Sequence, residues 1–240
     1  METDHSNQFT DPEFDIENDL GTNNCLEGLM SSYQDPQPSD TSVSPWRLNN
    51  ALSTLVESNV LSTYSMAVDM VALSKVLANE DSSGSRGPSS VHRVDWIFDN
   101  PSFTVDGYSS TDVKQGANGD CWFIAAVATI CSNPGLMDKI CVERDEECGV
   151  YGFVFYRDGE WIWTVIDDNL YLARSDFDAF SDDYDPTGSK ERRYKKNYQT
   201  GSDALYFASC ADQNETWLPL LEKAYAKVHG DYDAISGGIR

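Results

Sequence analysis

Gln115-Gly116-Ala117-Asn118-Gly119-Asp120-Cys121-Trp122-Phe123-Ile124, followed by Ala125-Ala126, is the stretch on which the reading of this chain turns. A cysteine stands where a glycine-bearing turn hands over to an apolar helix. Asp120 and the glycines suit a turn and a helix cap. Trp122 to Ile130 contains no Gly, Pro or charged residue, which predicts a buried helix. Cys121 then lies in the first helical turn, where free backbone N–H groups and the positive end of the helix dipole favour a thiolate. The thiolate is the form of cysteine that attacks in covalent catalysis. Gln115 lies upstream on the same turn, and its amide can donate with the Cys121 backbone N–H to a tetrahedral oxyanion. The same spacing also suits a small buried cysteine that does no chemistry.

The pattern Gln-Gly-x-x-Gly-Asp-Cys-Trp-Phe with Ala-Ala after it resembles the active-site signature of calpain-type, papain-like cysteine endopeptidases. Leu221-Glu222-Lys223-Ala224-Tyr225-Ala226-Lys227-Val228-His229-Gly230 resembles a second signature of that family, in the right order. The likeness runs from about Trp96 to the C-terminus. It implies an α+β fold, the helical cysteine half of a papain-like protease core with a β-hairpin. It also implies intracellular, limited cleavage of protein substrates through an acyl-enzyme on Cys121, with Gln115 in the oxyanion hole.

Composition narrows the partners. With 17 basic and 40 acidic residues the net charge is −23, which argues against nucleic acid and anionic membrane surfaces. No apolar run reaches the length of a membrane span. The N-terminus, Met1-Glu2-Thr3-Asp4-His5, is polar and acidic and signals neither secretion nor mitochondrial import. The six cysteines are therefore expected as reduced thiols in a soluble, cytoplasmic protein, and their spacings match no zinc pattern.

Along the chain, residues 1–47 are too polar to offset their ordering entropy and are expected as a disordered acidic arm. Residues 48–80 carry apolar positions at helical spacing, and 81–91 has the composition of a flexible linker. By the resemblance, residues 92–240 are expected to be the first subdomain of a calpain catalytic domain. Within it, Val150–Tyr156 and Glu160–Ile166 flank Arg157-Asp158-Gly159, a hairpin signature. Residues 175–203 carry an acidic block and then a basic one; compared with typical calpains they look like an insertion and are expected as a mobile surface loop. The last helix carries an apolar stripe of Trp217, Leu218, Leu221, Tyr225 and Val228, with capping residues in 212–215 and Gly230 at its end.

The mechanism implied by the resemblance needs an imidazole and a group to orient it. The three histidines, His5, His92 and His229, lie in the arm, the linker and the end of the last helix. None matches the family's catalytic histidine, which with its asparagine comes later, in a second subdomain. The chain is expected to be a fragment bearing the cysteine half, or a subdomain without its partner, and inactive alone. The other class of reading is a catalytically inactive calpain-like binding or regulatory module. The resemblance further implies a Ca²⁺ site with backbone carbonyls of Val105 and Gly107 and carboxylates of Asp112 and Glu222, a plausible hard-oxygen set. Animal calpains carry an arginine at the position of Ser110, which helps to couple that site to closure of the two half-domains.

Overall fold

The computed structural model describes residues 8–20, 23–27, 87–133, 135–178 and 185–237. The helices expected over 48–80, and most of the linker before Gly87, lie outside the described residues. In chain order the elements are α1 (Ile16–Asp19), β1 (Ser90–Arg93), α2 (Val94–Ile97), β2 (Val113–Lys114), α3 (Cys121–Cys131), β3 (Cys141–Asp145), β4 (Val150–Arg157), β5 (Glu160–Asp167), β6 (Asn169–Leu172), α4 (Ser189–Tyr198), β7 (Ser209–Cys210) and α5 (Trp217–His229). Strands β3, β4 and β5 form one antiparallel sheet, while β1–β6 and β2–β7 are separate antiparallel pairs.

The β4–β5 hairpin forms where Asp-Gly stands. Asp158 has φ 54° and Gly159 φ 89°, the two consecutive positive values that a tight hairpin turn needs. Strand alternation then sorts the side chains: Tyr151, Phe153 and Ile166 are buried, whereas Tyr156, Trp161 and Trp163 are exposed on the opposite face. The inner face meets Phe123, Ile124 and Val127 of α3 and Trp217, Leu218, Leu220, Leu221 and Ala224 of α5 in one core. Each large side chain fully withdrawn from water here contributes about 1.5–3 kcal/mol.

Helix α3 corrects the expectation of a fully buried helix. Cys121, Ala125, Ala126 and Thr129 are exposed, so an apolar helix is covered along one side and bare along the other. Its lack of charge predicted burial on every side, and this structure supplies cover for one.

The disordered-arm expectation for 1–47 is also corrected in part. Phe14 and Ile16 are buried against Tyr171, Phe207, Ala226 and Tyr232. Asp11 pairs with Lys227 at 2.8 Å, and its backbone N–H donates to Asp167 Oδ2 at 2.8 Å. A few apolar anchors and the ion pairs of Lys227 with Asp11 and Glu13 thus hold a segment whose average composition is that of a disordered chain. The folded region likewise begins before His92: Ser89 N donates to Leu172 O, and β1 pairs with β6 from Ser90 onwards.

Residues 175–203 were expected as a loop, and α4 replaces part of it. Asp185 Oδ2 accepts from Ser189 N and Lys190 N at 3.1 and 3.2 Å, capping the helix start. Tyr194 donates to Ser175 O at 2.9 Å, and the Lys195 ammonium sits 3.9 Å from the centre of the Trp96 ring. No residue of α4 is buried, so no apolar periodicity announced it.

Candidate active site

Cys121 is the first residue of α3 and is exposed. The earliest amides to bond back are those of Phe123 and Ile124, at 2.8 and 3.1 Å to Asp120 O, which leaves the Cys121 and Trp122 N–H groups outside the helical ladder. Asp120 occupies the cap position, but its side chain caps nothing: the carboxyl turns inward, fully buried. The loop leading to it lies against residues 206–208. Ala117 N donates to Tyr206 O at 2.9 Å, and a Cβ on Gly116 would meet the Phe207 backbone at 2.2 Å, so only glycine fits there.

Gln115 reaches this turn, with its amide engaged inside it. Nε2 donates to Asn118 O at 2.8 Å and lies 3.4 Å from Asp120 Oδ1. Trp122 fixes the other side, its indole N–H donating to Ile235 O at 2.9 Å. The described histidines are occupied elsewhere: His92 stacks on Trp96 at 3.6 Å and pairs with Asp176, while His229 Nδ1 meets Tyr225 O at 2.9 Å.

The polar residues of the second signature each hold another part of the fold. Lys223 and Asp167 are fully buried and pair at 2.5 Å, and Lys223 also donates to Asn169 O at 2.8 Å. Burial alone would raise Asp167, but Lys223 and the backbone N–H groups of Asp11 and Asn169 outweigh it and hold the carboxyl below its ordinary value. Lys227 binds Asp11.

The expected calcium set is divided by the structure. Val105, Gly107 and Asp112 share one loop, turned sharply by the positive φ of Asp106 and Gly107 at 58° and 90°. Glu222 is not with them. Its Oε2 accepts from Ala208 N at 2.7 Å and its carboxyl contacts Asp120, at the base of the cysteine turn. The carboxyl that reaches the loop is Glu215, which sequence reasoning passed over as a capping residue. Its Oε1 accepts from Val105 N at 2.8 Å, its buried Oε2 makes no hydrogen bond of good geometry although Cys210 and Trp217 lie beside the carboxyl, and it feels the charge of Asp112. Burial first, then Asp112, pushes Glu215 up. The N-cap of α5 is Thr216. Among the described residues no cluster of three or more His, Cys, Asp or Glu side chains suits a metal ion, and no helix is long and apolar enough to cross a membrane.

Cys121 is thus an exposed thiol opening a half-covered helix, with two N–H groups outside the helical ladder beside it and a glycine turn beneath. The chain matches the calpain family of cysteine proteases over residues 71–240 and belongs to that family, whose members are cysteine endopeptidases. It is 35% identical to the calpain-1 catalytic subunit of Bos taurus over 163 residues, covering 63% of this chain and 19% of the relative. Calpain-A of Drosophila melanogaster is 34% identical over 170 residues (67% and 17%). Calpain-8 of Mus musculus is 38% identical over 147 residues (59% and 17%). The matched stretch thus spans less than a fifth of the length of these relatives.

Proposed function

We propose that this chain is the cysteine half of a calcium-regulated, intracellular endopeptidase that cuts proteins at limited sites. Cys121 is the nucleophile: its thiolate attacks the scissile carbonyl, the leaving amine takes a proton, and water releases the acyl group from sulfur. The Cys121 N–H and Gln115 Nε2 hold the oxyanion once Gln115 gives up its bond to Asn118 O. The imidazole that takes the thiol proton comes from a second half-core, since both described histidines are committed elsewhere. The observation that carries this reading is the bare side of α3. An uncharged helix with Cys121, Ala125, Ala126 and Thr129 exposed has the surface that a second half would cover.

Calcium fits the loop with one exchange of residue: Val105 O, Gly107 O, Asp112 and Glu215 are the ligands, and Glu222 is not. The buried Glu215 carboxyl, which already reaches Val105 N and has one oxygen without a well-formed hydrogen bond, favours the exchange. Bound there, the ion would supply positive charge joining this loop to the segment just ahead of α5.

The test is complementation. The 240-residue chain should leave casein uncut. Joined to the second half of a calpain core, it should cut, by the ~10²–10⁴-fold that a general base is worth. Cleavage of equal rate without the second half would overturn the division of labour.

A further inference from the structure

Two carboxyls meet beneath Cys121 with no cation between them among the described residues. Asp120 and Glu222 are both fully buried, and their carboxyl groups lie against each other. Glu222 Oε2 is satisfied by Ala208 N at 2.7 Å, and Asp120 Oδ1 faces Gln115 Nε2 at 3.4 Å. The remaining oxygens, Glu222 Oε1 and Asp120 Oδ2, have no partner. Two ionised carboxylates offer only acceptors to each other. A single proton between these two oxygens satisfies both orphans at once.

The surroundings say which residue carries it. Lys223 and Lys227, the cations nearest in sequence to Glu222 on α5, are bonded to Asp167 and Asp11. From the turn after α5 the pair faces the buried Tyr232, stacked on Phe207 at 3.8 Å, with Tyr171 and Cys25 behind it. From the cysteine loop it faces Gln115. Among the described residues, these neighbours are all neutral or acidic. Burial pushes both carboxyls up, and Glu222 well above the ordinary range.

We propose that Glu222 is a protonated positioning residue: its O–H donates to Asp120, and the charge this leaves on Asp120 orients the amide of Gln115 beside Cys121. Only the consequence for Gln115 rests on the protease reading. The shared proton stands without it, and the two parts are tested by different measurements.

The folded chain binds this proton more tightly than the unfolded chain. Stability is therefore fullest below the ordinary carboxyl range and is lost as pH rises above it, by up to ~tenfold in the folding equilibrium per pH unit. Glu222→Gln copies the protonated form, with its amide donating to Asp120 and its carbonyl accepting from Ala208 N. Urea denaturation of both chains between pH 5 and 8 should show the variant folded and its pH slope flatter than that of the wild type by up to that factor. Equal slopes, or a variant as unstable as Glu222→Ala at pH 7, would overturn the proposal. Should Glu222→Gln not fold, infrared spectroscopy of the wild type decides: an un-ionised carboxylic acid at pH 7 is expected, and its absence refutes the shared proton. For Gln115, the side-chain amide resonances should stay fixed while Glu222 keeps its proton and move once the pH is taken high enough to remove it, a movement absent in Glu222→Gln. A Gln115 amide that ignores pH in the wild type removes the positioning role and leaves the proton in place.

Discussion

Replacing Lys223 with Met exposes how the second signature supports the fold. Lys223 and Asp167 are both 0% exposed, and the ammonium donates to Asp167 Oδ1 at 2.5 Å and Asn169 O at 2.8 Å. Lys223→Met keeps the volume and removes the cation, leaving a buried carboxylate with only the backbone N–H groups of Asp11 and Asn169, at 2.8 and 2.9 Å. Breaking one side of such a pair costs about 3–5 kcal/mol. In a chain of this size that corresponds to a fall in Tm of roughly 6–20 °C. Urea unfolding followed by circular dichroism at pH 7 measures it. The pH dependence carries a second signature. In the wild type Asp167 is held below its ordinary 3.8, so its contribution is present above that value and lost as pH falls through the lowered one. Without Lys223, burial dominates and the carboxyl rises, so the variant regains stability on acidification and the gap narrows from pH 7 towards pH 4. Adding Asp167→Asn should recover at least about 1 kcal/mol, because the orphan charge is gone. A loss below about 1 kcal/mol in Lys223→Met, or no recovery in the double variant, would refute the reasoning.

Other expectations follow from the same geometry. Calorimetry with millimolar Ca²⁺ should detect binding that Glu215→Gln and Asp112→Ala each weaken and Glu222→Gln leaves intact; the reverse ranking would restore Glu222 as the ligand. Gln199 is buried and donates to Asp176 Oδ1 at 2.9 Å, so Gln199→Ala should cost about 1–3 kcal/mol and speed amide exchange in α4. Deleting residues up to Asn18 removes Phe14, Ile16 and the Asp11–Lys227 pair. The loss should be at least about 3 kcal/mol in chemical denaturation, since each of the two apolar anchors is worth 1.5 or more, whereas a disordered arm would be lost without effect.

Much of the core was legible because its signals are local. Asp158-Gly159 specifies a turn geometry, the Trp217–Val228 stripe has a helical period, and Gly230, with φ 114°, ends α5 as expected. What escaped the sequence depends on contacts between distant segments. Phe14 and Ile16 look like scattered apolar residues in a polar arm until Tyr171 and Tyr232 surround them. Helix α4 has no apolar face to announce it, only Asp185 and two tyrosines. At the candidate site the cysteine turn was visible, but the division of labour between two glutamates seven residues apart was not. Glu215 precedes the N-cap of α5 and Glu222 lies within the helix, and only the fold sends one to the Val105 loop and the other beneath Asp120.

The nucleophile itself is the central claim. The decisive measurement is casein cleavage, with intact-mass analysis after an epoxide-type thiol inhibitor, by this chain joined to a second calpain half, wild type against Cys121→Ala. The wild type should cut, gain one adduct on Cys121 and then stop cutting, while Cys121→Ala should fold, take no adduct and leave casein whole. Cleavage by Cys121→Ala at the wild-type rate, or loss of activity with the adduct on Cys131, Cys141 or Cys148, would contradict the account.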